Sequence, residues 1–246
     1  MNQIVDITYN RLTKKQILEK IVLYMQSPKG FFHIVSLNPE NIVIAHKDKQ
    51  FADILSEGSI QIFDGVGMVM AAKILGISSS ERVTGVDLMR DMLEMCKTER
   101  LGVLFIGGKD NLAESLANCY KEAYPKSSLM GIQGFKDINH PTEQEKKQLF
   151  SIVADHKPQI IFAAFGSPSQ EKWFYEHKKQ LEGIICMGVG GGFDFLGGAK
   201  PRAPYWMRKI GMEWLYRLAV EPWRWRRQLR ILTFLKLVLS QRLKAK

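Results

Sequence analysis

Short apolar runs rich in β-branched residues recur along residues 1–199: FFHIVSL (31–37), SIQIFDG (59–65), GVLFIGG (102–108), a shorter run within 128–135, QIIFAAFG (159–166) and GIICMGVGGGFDF (183–195). Between them lie amphipathic segments with helical spacing, around 39–50, 66–75, 84–97 and 111–124. A further helix opens at Pro141-Thr142-Glu143. Another starts in Ser167-Pro168-Ser169-Gln170-Glu171, where proline sits near the first helical position and an acid lies in the first turn. Strand and helix alternate at the spacing of crossover units. The expected fold is therefore α/β, a Rossmann-like, doubly wound, mainly parallel sheet. Ligands of such sheets bind beyond the carboxyl ends of the strands. No internal repeat or low-complexity linker interrupts the pattern.

The pattern changes near Gly197. KPRAPYWMRKIG reads as an extended connection and MEWLYRLAV as a short helix. Glu221-Pro222 breaks that helix, and a long basic helix runs from Trp223 to about Arg242. Two units are expected, a catalytic α/β domain over 1–196 and a helical appendage over 197–246. Charge sharpens this division. The chain carries a formal net charge of +10, yet residues 1–199 hold 22 basic and 23 acidic residues and residues 200–246 hold 13 and 2. Four of the five tryptophans, Trp206, Trp214, Trp223 and Trp225, lie in the appendage as well. Its mostly apolar stretch 231–239 is too short to span a bilayer and suits a helix lying in the interface.

Bulk features exclude several classes. At 46% hydrophobic residues the chain can bury a core. The mixed, polar start MNQIVDITYNRLTKKQ has no apolar core of a signal peptide. Cys96, Cys119 and Cys186 lie outside any metal or redox spacing and read as reduced core thiols of a cytoplasmic protein. The histidines at 33, 46, 140, 156 and 177 show no ligand spacing. There is no P-loop and no D-x-D, and GVGGGFDF carries Phe193 where a dinucleotide fingerprint needs glycine. No metal and no cofactor are expected.

Polar residues gather where the strands should end. Ser36 and Asn38 follow the first strand, and Asp64 follows the second. Gly107 and Gly108, then Ser167 and Gln170, then the glycines 190–192 and Asp194 follow later ones. Each alone could be a cap or turn residue. Together they mark one edge of one sheet. Asp64, between an apolar strand and a glycine-containing turn, is the candidate acid/base group, with a helix cap as the competing role. In the appendage Arg217, Arg224 and Arg227 stand seven and three residues apart. A one-sided guanidinium cluster suits a diphosphate, and a solvated or lipid-facing surface is the competing role.

Seven ordered blocks give the chain a family likeness: SLNPENI (36–42), FDGVGMV (63–69), ERVTGVDL (81–88), LFIGG (104–108), FGSPSQEKW (165–173), MGVGGGFD (187–194) and the stretch from KPRAPYW to RRQLR (200–230). From about 31 to 232 the sequence resembles the WecG/TagA/CpsF family of bacterial glycosyltransferases (glycosyltransferase family 26). The resemblance implies inverting, metal-independent transfer of a sugar from a UDP-sugar to an undecaprenyl-diphosphate-linked amino sugar. It places this at the inner face of the cell membrane, in synthesis of teichoic acid or another cell-surface polysaccharide. The favoured donors are of the N-acetylmannosamine or N-acetylmannosaminuronic acid type, with UDP-glucose or another UDP-hexose as the alternative. Carried over by position, Asp64 is the general base. Ser36, Asn38, Arg82 and Gln170 line the sugar and diphosphate pocket, Val189 and Asp194 contact the uridine end, and Arg217, Arg224 and Arg227 close over the diphosphate. Ser36 stands where teichoic-acid members carry threonine and keeps the hydroxyl. The implied partners are the UDP-sugar, the lipid-linked acceptor, an anionic membrane surface reached through the appendage, and a further copy of the chain.

Three other classes compete. A nucleic-acid-binding protein explains the basic aromatic tail but not the polar strand ends on a neutral body, so no nucleic acid is expected. A nucleotide-dependent oxidoreductase lacks its fingerprint. A non-catalytic membrane scaffold gives Asp64 no role.

Overall fold

The computed structural model describes residues 2–244, without the side chains at 224 and 226–228. The chain opens with a small antiparallel pair, β1 (Asn2–Ile4) and β2 (Ile7–Tyr9), and α1 (Lys14–Gln26). Thr13 and Gln16 close the start of α1 with a reciprocal capping box. The core strands and helices follow in alternation: β3 (Phe32–Leu37), α2 (Pro39–Ala45), α3 (Lys49–Glu57), β4 (Ile60–Phe63), α4 (Val66–Leu75), α5 (Gly85–Glu94), β5 (Gly102–Gly107), α6 (Leu112–Ala123), β6 (Ser128–Ile132), α7 (Glu143–His156), β7 (Ile160–Ala164), α8 (Ser169–Glu176) and β8 (Ile185–Gly188). Six of these strands make one parallel sheet in the order β4-β3-β8-β7-β5-β6. The α/β, Rossmann-like reading holds.

Alternate residues of each strand feed opposite layers. Val103, Phe105, Ile160 and Phe162 join the layer that includes α1, α5 and α6. Leu104, Ile106, Ile161 and Ala163 join the layer of α7 and α8. A third cluster covers the β3–β4 end and is built with α2, α3 and α4. β5 crosses outward to β6 while β7 crosses the other way to β8. Connections that diverge at neighbouring strands leave a crevice above their carboxyl ends.

The helix expected over 39–50 is two helices. The Asp48 side chain accepts a hydrogen bond from the Phe51 N–H (3.1 Å) and starts α3 afresh. The segment expected to be extended after Gly197 contains α10 (Tyr205–Lys209), which follows Pro204 directly. The glycine turn opens a short helix, α9 (Gly192–Leu196). Cys96 and Cys186 are core thiols, but Cys119 faces solvent on the outer side of α6, correcting its assignment to the core.

The C-terminal elements are α11 (Glu213–Val220), a tight turn over 222–224 and α12 (Trp225–Lys244). α12 lies against α2 and α4, with Phe234 and Val238 buried in the third cluster. Gln241 accepts a hydrogen bond from the Val5 N–H (2.7 Å), and Arg242 donates to the Leu75 carbonyl at the end of α4 (3.0 Å). Its other side presents Leu229, Leu232, Leu235, Leu239 and Leu243 to solvent. Among the described residues no helix is long and apolar enough to cross a membrane.

Candidate active site

Asp64 sits where β4 ends. Its N–H donates to the Leu37 carbonyl (2.9 Å), locking the end of β4 beside the end of β3. Gly65 follows with φ of +108°, a region closed to most side chains. That lets the chain turn from strand into α4 at once and leaves Asp64 at the strand mouth. Burial pushes its carboxyl up, Glu213 and Asp87 push in the same direction, and Arg217 and the Gly85 N–H oppose them. The balance puts Asp64 at about 6, against an ordinary 3.8. A carboxylate poised there can accept a proton from a hydroxyl near neutral pH.

Two clefts meet at this residue. The larger, about 600 Å³, lies over the ends of β5, β7 and β8 and is mostly polar, with Lys109, Lys136, Asp194, Gly188, Gly190 and Gly191 in its wall. The second, about 470 Å³, lies between the N-terminal ends of α2 and α4 and the appendage. Pro39, Val66, Met70, Trp214 and Ile231 make it largely apolar. Asn38, Glu40, Asp64 and Arg217 line both. Behind Asp64 a chamber of about 100 Å³ is walled by Ser36, Thr84, Arg202, Glu213 and Arg217.

The structure brings eight of the sequence-predicted residues to these spaces. Ser36, Asn38, Asp64, Gln170, Val189, Asp194 and Arg217 line the larger cleft, and Arg82 lines the apolar one. The side chains of Arg224 and Arg227 lie outside the described residues. Several of the eight also do structural work. Asn38 caps α2, its Oδ1 accepting from the Asn41 N–H (2.9 Å). Arg82 donates to the Arg208 carbonyl (2.7 Å) and so ties α10 to the body. Gln170 is a clamp: its Oε1 accepts from the Gly166 and Gly190 N–H groups (3.1 and 3.3 Å), and its Nε2 donates to Glu171 (2.8 Å). A side chain at Gly188 would press on that amide, since a Cβ there would lie 2.3 Å from Gln170 Nε2. The Arg217 guanidinium stacks 4.6 Å over the Phe195 ring, one turn beyond the glycines.

Sequence reasoning passed over an ionic network at the same place. Arg202 forks onto Asp87 (2.8 and 3.1 Å), reaches the Thr84 hydroxyl (3.3 Å) and donates through Nε to Glu213 (3.1 Å). Burial works against ionised Asp87, but the Arg202 fork and the Thr84 hydroxyl prevail and hold its carboxyl at about 2. Lys200 bridges Asp194 (3.5 Å) and the buried Glu221 (2.9 Å). Arg230 of α12 pairs with Glu40 at the lip shared by the two clefts. Glu171, wholly buried beside Gln170, has its carboxyl raised by burial against the hydrogen bond from Gln170. The available signal was compositional: Glu213 and Glu221 are the two acids of residues 200–246. Among the described residues no three His, Cys, Asp or Glu side chains gather as metal ligands.

Comparison with known proteins gives the same direction. The family model described as "Glycosyl transferase WecG/TagA/CpsF family" matches residues 2–246. Relatives from Staphylococcus aureus strains NCTC 8325, COL and MRSA252 are each 30% identical over 226 residues, 91% of this chain and 85% of theirs. Each is an N-acetylglucosaminyldiphosphoundecaprenol N-acetyl-beta-D-mannosaminyltransferase.

Proposed function

The chain belongs to the WecG/TagA/CpsF family and is a glycosyltransferase, and from that premise we propose that it moves an N-acetylmannosamine-type sugar from a UDP-sugar to undecaprenyl-diphosphate-linked N-acetylglucosamine. The observation that carries this is Asp64 standing where a polar cleft and an apolar cleft meet. The polar cleft suits a nucleotide diphosphate: glycine-bordered strand ends let backbone N–H groups approach, and Arg217 brings a guanidinium. The apolar cleft, edged by Met70 and Trp214, suits a sugar carried on a lipid. In this reading Ser36, Asn38, Arg82 and Gln170 line the sugar and diphosphate, and Val189 and Asp194 the uridine end. Arg224 and Arg227 join Arg217 over the diphosphate.

The reaction is one displacement. The acceptor hydroxyl attacks the anomeric carbon from the face opposite UDP as its proton passes to Asp64. The C–O bond to UDP breaks, and the electron pair leaves with the diphosphate. Arginine and oriented N–H groups stabilise that charge, so a divalent metal has no required task. Inversion follows from attack opposite the leaving group.

The appendage over 197–246 serves the same end. Tyr205, Trp206, Trp223 and Trp225 are exposed beside the outward leucines of α12. With basic residues around them they form a surface that holds the enzyme on anionic lipid at the inner face of the membrane. The test is UDP release from a panel of UDP-sugars with a short-chain lipid-diphosphate N-acetylglucosamine, with and without chelator. Acceptor-dependent release from UDP-N-acetylmannosamine, insensitive to chelator and lost in Asp64→Asn, is the expected result. Release that chelator abolishes, or that persists in Asp64→Asn, overturns the mechanism.

A further inference from the structure

The small chamber behind Asp64 holds an arrangement that the transfer chemistry above leaves unused. Two carboxylates, Asp64 and Glu213, share its walls with two guanidiniums, Arg202 and Arg217. Asp64 belongs to the body, and the other three to the appendage. Glu213 begins α11 and keeps only 20% of its side chain exposed. It is held from behind: Arg202 Nε donates to it at 3.1 Å, while the rest of the same guanidinium is committed to Asp87 and Thr84 at the start of α5. That helix start also supplies the Gly85 N–H that favours ionised Asp64. Arg202 is thus a bracket between the N-terminal ends of two helices, and it fixes the Glu213 carboxylate on the wall that Asp64 faces.

We propose that Glu213 is a positioning residue of the reaction: bracketed by Arg202, it faces Asp64 across the chamber and gives the base its full basicity only while α11 lies over the site. This rests on the reading of Asp64 as general base. Among the described residues, the charged groups around Asp64 are Glu213 and Arg217 from α11, Asp87 from α5, Arg202 from the connection, Glu40 of α2 paired with Arg230 of α12, and Arg82 at the neighbouring cleft wall. Glu213 and Asp87 oppose its ionisation, and Arg217 favours it. Arg202 draws Asp87 and Glu213 together, and of the two like charges Glu213, which acts more strongly on Asp64, is presented by the appendage. Appendage docking therefore does two things at once. It brings Arg217 for the leaving diphosphate, and it brings a carboxylate that keeps Asp64 from becoming too weak a base. Without the second effect, the arginine alone would acidify Asp64.

The experiment is the pH profile of kcat/KM for acceptor-dependent UDP release, using the full-length chain and vesicles containing anionic lipid. Wild type is compared with Glu213→Gln, Glu213→Asp and Asp64→Asn. Glu213→Gln keeps an oxygen for Arg202 but loses the charge. Its acid limb is expected to move down by about one pH unit, with a plateau several-fold lower, as loss of a like charge from the wall of the same chamber predicts. Donor binding by calorimetry should stay within about twofold. Glu213→Asp, which keeps the charge, should return the limb toward the wild-type position. Glu213→Ala serves as the second neutral variant if the glutamine variant does not fold. A neutral variant whose limb coincides with wild type, while Asp64→Asn is inactive, overturns the role of Glu213 and leaves the base intact. An active Asp64→Asn overturns the base itself.

Discussion

Asp64→Asn should abolish turnover and yet make the protein more stable. The Asp64 side chain is half-buried where the clefts meet, and its carboxyl sits at about 6 in the folded chain, against an ordinary 3.8. A raised carboxyl is favourable to folding while it stays neutral in the native state. That contribution is whole below about pH 4 and is lost as pH rises through 6, where the folded protein must ionise a group that the unfolded chain ionises more easily. Two units correspond to about 3 kcal/mol, and allowing for solvent reaching the site mouth, about 1–3 kcal/mol is expected. Asparagine has nearly the same shape and keeps an oxygen for the Gly85 N–H, so it removes the charge and little else. The assay is thermal or urea unfolding of both proteins at pH 4, 5.5 and 7.5. The variant should match wild type at pH 4 and exceed it increasingly toward pH 7.5, with about 2–4 °C in Tm per kcal/mol for a chain of this size. A difference that does not change with pH, or a variant less stable than wild type at pH 7.5, would refute a base tuned by burial.

Arg202→Ala should cost about 2 kcal/mol at pH 7, because it strips the cation from two partly buried carboxylates. Asp87 sits at about 2, so its share of stability is present above about pH 4 and is lost as pH falls toward 2; urea midpoints at pH 7 and pH 3 should show the gap narrowing. Gly188→Ala should displace the Gln170 amide, whose Nε2 would lie 2.3 Å from the new Cβ, at about 1–3 kcal/mol. It should also weaken UDP binding at least tenfold by calorimetry, and an unchanged affinity would remove Gln170 as the clamp of the glycine loop. Phe234→Ala empties a buried contact between α12 and the body. A loss of about 3 kcal/mol is expected, with hydrogen exchange rising first in α12, and unaltered protection there would place the docking energy elsewhere.

The large features of this fold were legible because parallel strands announce themselves. Apart from the edge strand β6, the core strands are covered on both faces and read as apolar runs, and the helices between them carry caps such as Thr84 and Thr142. The N-terminal hairpin was not legible because three-residue strands are too short to display a period. In α1 the exposed Val22 and Leu23 blur the apolar stripe that Ile17 and Ile21 begin. Asp48 divided α2 from α3 through a hydrogen bond that pattern counting does not weigh. The polar strand ends were read correctly as one edge, since a parallel sheet leaves them no other place to go. What each does there was less accessible. Asn38 and Gln170 are polar groups at a cleft and are also a cap and a clamp, and type and position alone cannot separate the two.

The appendage shows the same limit in its electrostatics. A net-charge count reads residues 200–246 as a basic surface and treats its two acids as a remainder. In the folded chain those two acids hold the segment in place. Lys200 joins Glu221 to the helix of Asp194, and Arg202 joins Glu213 to Asp87, 115 residues away in sequence from its partner arginine. Positive charge alone would draw the appendage to lipid and leave its angle to the body undefined. Two cations pinned by carboxylates from both sides define that angle. They leave Arg217 aimed at the cleft where Asp64 stands. A basic segment built only to bind membrane needs no acids at these positions. In the function proposed above the segment also completes the site over Asp64, and its two acids stand where that task needs them.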